Sequence, residues 1–144
     1  MSPDRRGNAA EFIVLVVDDD MDARRIYSEY LRSKGWTVTT AADGRRGIDK
    51  ANELKPDVII LDLAMPRVDG WTVLKHLRES SWTDTIPIVV VSALTGARDE
   101  AYQFGCDAFL TKPCPPEVLW LQIRALFRIS SHVRHGLDWH DDHV

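Results

Sequence analysis

Hydrophobic positions fall along this chain in two alternating rhythms. Short uninterrupted apolar runs, Phe12–Val17, Val58–Leu61 and Ile88–Val91, show no polar alternation, the pattern of strands covered by helices on both faces of a parallel sheet. A weaker run, Ala108–Leu110, and a short β-branched stretch from Trp36 to Thr40 supply two more strands. Between them apolar residues return at helical spacing: Ile26, Tyr27, Tyr30 and Leu31 up to a stop at Gly35; Ile48, Ala51 and Leu54 after the Asp43-Gly44 turn and before Lys55-Pro56; Val73, Leu74 and Leu77 after the Met65–Gly70 loop. Pro87 opens the fourth strand, and a weak helix from about Ala97 to Phe104 is ended by Gly105. Pro115-Pro116-Glu117 starts a last helix to about Ile129. Strand and helix in strict alternation predict an α/β fold, a doubly wound parallel sheet.

The ends of the runs carry the chemistry. The first stops at Asp18-Asp19-Asp20, the third strand at Asp62, the fourth at Ser92, and the fifth is followed by Thr111, Lys112 and Pro113. Ligands of such sheets bind at the carboxyl ends of the strands, so these side chains converge on one spot. Adjacent carboxylates there repel one another and call for a cation. All-oxygen donors suit magnesium, which keeps part of its water shell and partners phosphate oxygens. Lys112 adds a fixed positive charge and Ser92 a hydroxyl donor, both suited to phosphoryl oxygens. A carboxylate so placed acts as a nucleophile toward phosphorus.

Composition narrows the field. With 144 residues, 44% hydrophobic and 28% charged, the chain suits one soluble domain with a full core and leaves no room for a second. A net charge of -4 and no basic stripe argue against direct nucleic-acid binding. No apolar run approaches the roughly 20 residues of a membrane span, and Met1 to Glu11 has no signal-peptide core, which points to a cytoplasmic protein. Cys106 and Cys114 fit reduced thiols; for Cys114 a packing role is the main reading, and a thiol pKa lowered by Lys112 two residues away is the minor one. Residues 1–11 read as a flexible leader, 12–129 as the domain, and 130–144 as a polar tail. That tail holds His132, His135, His140 and His143 with Asp138, Asp141 and Asp142, and reads as solvated chain before it reads as a metal site.

Asp18-Asp19, Asp62-Leu63-Ala64-Met65-Pro66 with Asp69-Gly70, Ser92-Ala93 and Lys112-Pro113 together resemble the receiver domain of two-component response regulators over about residues 11 to 129. The resemblance implies a flavodoxin-like (βα)5 fold with strand order 2-1-3-4-5, a single-domain regulator of the chemotaxis type. It implies Asp62 as phosphoacceptor, with Asp18, Asp19, Asp62 and the Ala64 carbonyl around Mg2+, Asp18 acting largely through water. Ser92 and Lys112 would contact the phosphoryl group, and Phe109 falls at the family's aromatic switch position. Implied partners are a sensor histidine kinase or histidine phosphotransfer protein and a downstream target protein. Such a domain is a switch that assists its own phosphorylation and dephosphorylation, not an enzyme on an external substrate. Ala64 and Leu94, two residues after Asp62 and Ser92, cannot position a water, so a slow loss of the phosphoryl group is expected.

Two rivals are weighed against this. A phosphatase of the haloacid dehalogenase type wants Asp-x-Asp followed two on by Thr or Val; Asp18-Asp19-Asp20-Met21-Asp22 meets only the first half. A receiver-like interaction module that never meets phosphate would tolerate loss of an acid or of Lys112, and all are present. Asp20 and Asp22 read as acids capping the first helix. In the last helix, Leu119, Trp120, Ile123, Leu126 and Phe127 form one apolar face; Val118, Leu121, Ala125 and Ile129 form a second nearly opposite. The second stripe predicts a partner surface, a homodimer through the fourth helix, fifth strand and fifth helix being one form of it, with the tail folding back as the alternative.

Overall fold

A computed structural model describes residues 11–134. Five strands, β1 (Ile13–Val17), β2 (Thr37–Ala41), β3 (Val58–Leu61), β4 (Ile88–Ser92) and β5 (Ala108–Thr111), alternate with five helices, α1 (Met21–Ser33), α2 (Gly44–Leu54), α3 (Gly70–Glu79), α4 (Arg98–Gln103) and α5 (Pro116–Arg134). All neighbours in the sheet are parallel, in the order β2-β1-β3-β4-β5, which is the flavodoxin-like arrangement.

The two faces of the sheet divide the core by parity. Leu15, Val17, Ile59, Leu61, Val90 and Phe109 point to the layer of α2, α3 and α4; Val14, Val16, Val58, Ile60, Val89 and Val91 point to α1 and α5. This is why the runs lack polar alternation: strands β1, β3 and β4 are buried along their full length. Each buried Leu or Val there is worth about 2 kcal/mol against exposure, so register is strongly specified.

Three aspartates in the loops after β1, β2 and β3 start helices. Asp20 accepts from the Asp22 amide at α1, Asp43 from the Arg46 amide at α2, and Asp69 from the Thr72 amide at α3. Helix α4 has no such cap, beginning at Ala97 without a side-chain hydrogen bond and lasting only six residues. Weak local support at α4 matches its weak sequence signal.

Strand β2 lies at the edge. Its alternate residues Thr37 and Ala41 bond to β1, leaving the carbonyls of Val38 and Thr40 on the open side. Both are taken by cations from the flanking helices: Arg32 Nη2 donates to Val38 O at 2.8 Å and Lys50 Nζ to Thr40 O at 2.6 Å. Charged groups lying across an edge hinder pairing with another strand.

Some boundaries differ from the sequence reading. Strand β2 starts at Thr37, because Trp36 is still tied to the end of α1 through its amide to Leu31 O and packs its ring on Phe12 at 4.7 Å. Helix α5 continues past Ile129 to Arg134. No Gly or Pro interrupts residues 130–134, and each added residue of an established helix gains a backbone bond without a new nucleation cost. The expected leader over residues 1–10, and His135, Asp138, His140, Asp141, Asp142 and His143 of the expected tail, lie outside the described residues. Among those described, no helix is long and apolar enough to cross a membrane.

Candidate functional site

Sheet register delivers the site. Asp62 N donates to Val17 O at 3.0 Å and Asp18 N to Ala41 O at 3.1 Å, so the two aspartates stand side by side, one residue past paired strand ends. On the other side, Ser92 pairs with Thr111, and the Lys112 amide donates to Ser92 O at 2.9 Å. Asp18, Asp62, Ser92 and Lys112 are thus brought to one edge because β1, β3, β4 and β5 end together.

Carboxylate oxygens of Asp18, Asp19 and Asp62 lie within 4.8 Å of one another; Asp18 and Asp62 are buried and Asp19 is exposed. Lys112 reaches in from β5, its Nζ 2.9 Å from Asp18 Oδ2 and 3.5 Å from Asp62 Oδ2. Asp62 Oδ1 accepts from the Ala64 amide at 3.1 Å, and Asp18 Oδ1 from the Asp20 amide at 2.9 Å. Each buried carboxylate therefore has one oxygen on a backbone amide and the other toward the ammonium.

Three carboxylates against one ammonium leave the pocket electronegative. Burial, reinforced by the charge of Asp18, raises the Asp62 pKa; the Ala64 amide and Lys112 oppose the shift without cancelling it. Burial alone would lower the pKa of Lys112, but its bond to Asp18 and the charges of Asp18 and Asp62 outweigh that and hold it above the ordinary lysine value. The donor set, oxygens only with excess negative charge and one member open to solvent, suits a hard divalent cation.

Two close approaches need glycine. A Cβ on Gly70 would lie 2.2 Å from the Asp62 carbonyl oxygen and 2.3 Å from Leu63 Cα, so α3 begins directly against the segment carrying Asp62. At Gly44 a Cβ would lie 2.3 Å from Val68 O, locking the start of α2 to the same loop.

Ser92 is fully buried, its Oγ accepting from the Leu94 amide at 3.2 Å. Phe109 is buried in the layer under α4 with Ala97 and Ala101. Ala64 and Leu94 are both exposed at the rim. In α5, Leu119, Ile123 and Phe127 are buried, whereas Val118 and Leu121 are 43% and 50% exposed, so the two stripes separate as the sequence pattern predicts. Cys114 packs against the core, and a thiol activated by Lys112 is not what the fold makes of it: burial raises its pKa, and the Tyr27 hydroxyl opposes that only in part. The Lys112 ammonium is engaged with Asp18 and Asp62.

Sequence reasoning missed two side chains that brace the site. Arg24 Nη1 donates to the Asp18 carbonyl at 2.9 Å, and the Tyr27 hydroxyl donates to the Cys114 carbonyl at 2.9 Å. Tyr27 reads from sequence as an ordinary core position of α1, and nothing local marks a contact with a residue 87 positions away.

A five-stranded parallel sheet in this order, with an acidic cluster, a strand-end hydroxyl and a lysine at its carboxyl edge, defines a phosphotransfer receiver fold. The chain belongs to the response regulator receiver domain family, whose model matches residues 14–124. It is 38% identical over 122 residues to the DNA-binding dual master transcriptional regulator RpaA of Synechocystis, covering 83% of this chain and 51% of that protein. It is 37% identical over 119 residues to the response regulator PleD of Caulobacter vibrioides, covering 81% of this chain and 26% of that protein. The chain spans about half the length of RpaA and less of PleD. Among solved structures, the chemotaxis protein CheY4 of Vibrio cholerae is similar at TM-score 0.76 and 34% identity, covering 81% of this chain and 98% of that one. A Francisella response regulator receiver domain is similar at TM-score 0.76 and 30% identity, covering 83% and 99%.

Proposed function

We propose that Asp62 accepts a phosphoryl group from a histidine of a sensor kinase or histidine phosphotransfer protein, and that the acyl phosphate switches a protein-binding surface. The convergence of Asp18, Asp19 and Asp62 within 4.8 Å of one another, with Lys112 against two of them, carries this reading. In the transfer an Asp62 oxygen attacks phosphorus as the bond to the donor imidazole nitrogen breaks. The imidazole leaves with the electron pair and takes a proton from solvent.

Asp18, Asp19, Asp62 and the Ala64 carbonyl would hold Mg2+, which when bound neutralises carboxylate and phosphoryl charge together. Lys112 turns from its carboxylates toward the incoming phosphoryl oxygens, and the Ser92 hydroxyl donates to them. Because Ser92 lies at the carboxyl end of β4 and Phe109 is packed under the uncapped α4, inward movement of Ser92 biases Phe109 and α4 between two packed states. The readout surface is then α4, β5 and α5, including the exposed Val118 and Leu121, where a target or a second copy of the chain docks. An apolar groove of about 400 Å³ beside Lys112, with Ala23, Ile26 and Pro116 in its walls, gives the donor protein a place to rest next to the pocket. The protein acts in the cytoplasm, as a domain that includes all of α5 to Arg134. Ala64 and Leu94 offer no group to orient a hydrolytic water, so the phosphoryl group is lost slowly.

Intact-mass analysis with magnesium and acetyl phosphate, beside Asp62→Ala, tests the reading. One added phosphoryl group in the parent and none in the variant is the expected result, with size-exclusion reporting any change in assembly. No adduct from acetyl phosphate or any kinase donor, or an adduct retained by Asp62→Ala, overturns it.

A further inference from the structure

We propose that Tyr27 is a positioning residue for phosphoryl transfer: its hydroxyl clasps the Cys114 carbonyl and so holds the loop that carries Lys112 against the acidic pocket. The inference rests on reading Asp62 as the acceptor and adds a residue that works through Lys112.

The loop after β5 has few ways to hold its own shape. Pro113, Pro115 and Pro116 have no amide hydrogen to give, so this stretch has few donors of its own, and the Cys114 thiol makes only a weak bond to Pro115 O at 3.6 Å. Lys112 is fixed at its amide by Ser92 O, and Pro115 O already belongs to α5, accepting from Val118 and Leu119. Among the described residues, the hydrogen bond from Tyr27 is the one that Pro113 and Cys114 receive from outside the loop and the helix it opens.

The clasp has a rigid base. Tyr27 lies on the buried face of α1, 5% exposed, in the layer that holds Leu31, Leu119 and Ile123, so its ring is fixed by α1 and α5 packing. Its hydroxyl remains protonated across the physiological range, because burial above all pushes its pKa up to about 12. A neutral phenol is thus always present to donate. Cys114 is two residues from Lys112, and a shift of its carbonyl moves the Lys112 backbone with it. An ammonium that must stay near both Asp18 and Asp62 and later meet phosphoryl oxygens tolerates little such movement, since a displacement of 1 Å at a catalytic group costs rate steeply.

Initial rates of acetyl phosphate labelling, followed by intact mass in saturating magnesium, would be compared for the parent, Tyr27→Phe, Lys112→Met and the double variant. Tyr27→Phe is expected to lower the maximal rate about five-fold, the kinetic equivalent of one neutral hydrogen bond, without changing the acetyl phosphate concentration at half-maximal rate. In the Lys112→Met background the same substitution is expected to change nothing, because the residue it positions is gone. An equal loss in both backgrounds, or no loss in either, overturns the proposal.

A second readout needs no phosphoryl transfer. Labelling of Lys112 by an amine-reactive reagent at fixed pH, mapped by peptide mass, is expected to run several-fold faster in Tyr27→Phe than in the parent, with Lys34 and Lys75 unchanged as internal standards. Unchanged labelling of Lys112 refutes the clasp. A parent that labels as expected but never accepts phosphate would count against Asp62 as acceptor and leave the clasp standing.

Discussion

Replacing Asp62 by Asn should make the metal-free protein more stable, although it removes an ion-pair partner. Carboxylate oxygens within 4.8 Å repel by about 3 kcal/mol per pair at an effective dielectric near 20, and Lys112 at 3.5 Å attracts Asp62 by about 5 kcal/mol. Asp19 is exposed and its share is screened, so repulsion from the two acids roughly cancels the attraction of Lys112. The desolvation of a buried charge is left over, and an amide escapes most of it. Asn keeps an oxygen that can accept from the Ala64 amide, as Asp62 Oδ1 does at 3.1 Å. A gain of about 2 kcal/mol follows, which at about 2 kcal/mol per molar urea raises the unfolding midpoint by about 1 M. The pH dependence has a definite sign. The folded-state pKa of Asp62 is raised, so folding binds its proton more tightly; the penalty on the parent is absent below the unfolded carboxyl pKa and complete above the folded one. The advantage of Asn should therefore vanish in acid and grow as the pH rises through the folded-state pKa of Asp62. Magnesium should raise the parent's midpoint more than the variant's. A variant that unfolds at the same or lower urea at pH 7 without metal would refute the reasoning.

Three further outcomes follow from packing. Gly70→Ala puts a Cβ 2.2 Å from a carbonyl that cannot yield without moving Asp62, so a loss of about 3 kcal/mol by urea unfolding and slower acetyl phosphate labelling are expected; parent-like behaviour in both would contradict the close approach. In α5, Leu119→Ala should cost about 3 kcal/mol, whereas Leu121→Ala on the exposed stripe should stay within about 0.5 kcal/mol, and equal losses would mean the stripes are misassigned. Arg32→Met with Lys50→Met uncovers the outer carbonyls of β2, and light scattering should show concentration-dependent association that Arg32→Lys with Lys50→Arg does not; a double Met variant that stays as dispersed as the parent would remove the guarding role.

How much of this was legible in the sequence depends on the range of the interactions. Strands β1, β3 and β4 were plain because burial on both faces writes an unbroken apolar run, and the site was plain because a parallel sheet brings every strand's carboxyl end to one edge. Asp18, Asp19, Asp62, Ser92 and Lys112 could thus be placed together without any contact being known. Boundaries were less visible: Trp36 has a β-favouring ring, but its amide closes the α1 turn, and α5 runs on through serines that carry no helical signal of their own.

What could not be read are contacts that a side chain makes with backbone outside its own helix. Tyr27 to Cys114, Arg24 to the Asp18 carbonyl, and Arg32 and Lys50 to the open edge of β2 all have this form. A backbone carbonyl is offered by every residue, so its partner leaves no complementary letter in the sequence, as an acid does for a base. The Cys114 thiol shows the converse: Lys112 is two positions away in sequence, but the fold engages its charge with Asp18 and Asp62, and burial decides the thiol. Proximity in sequence therefore predicts an electrostatic effect only when no stronger partner is brought in by the fold. In this domain the chemistry-bearing residues are written in the strand ends, while the residues that hold them in place are settled by packing of α1 and the loop after β5.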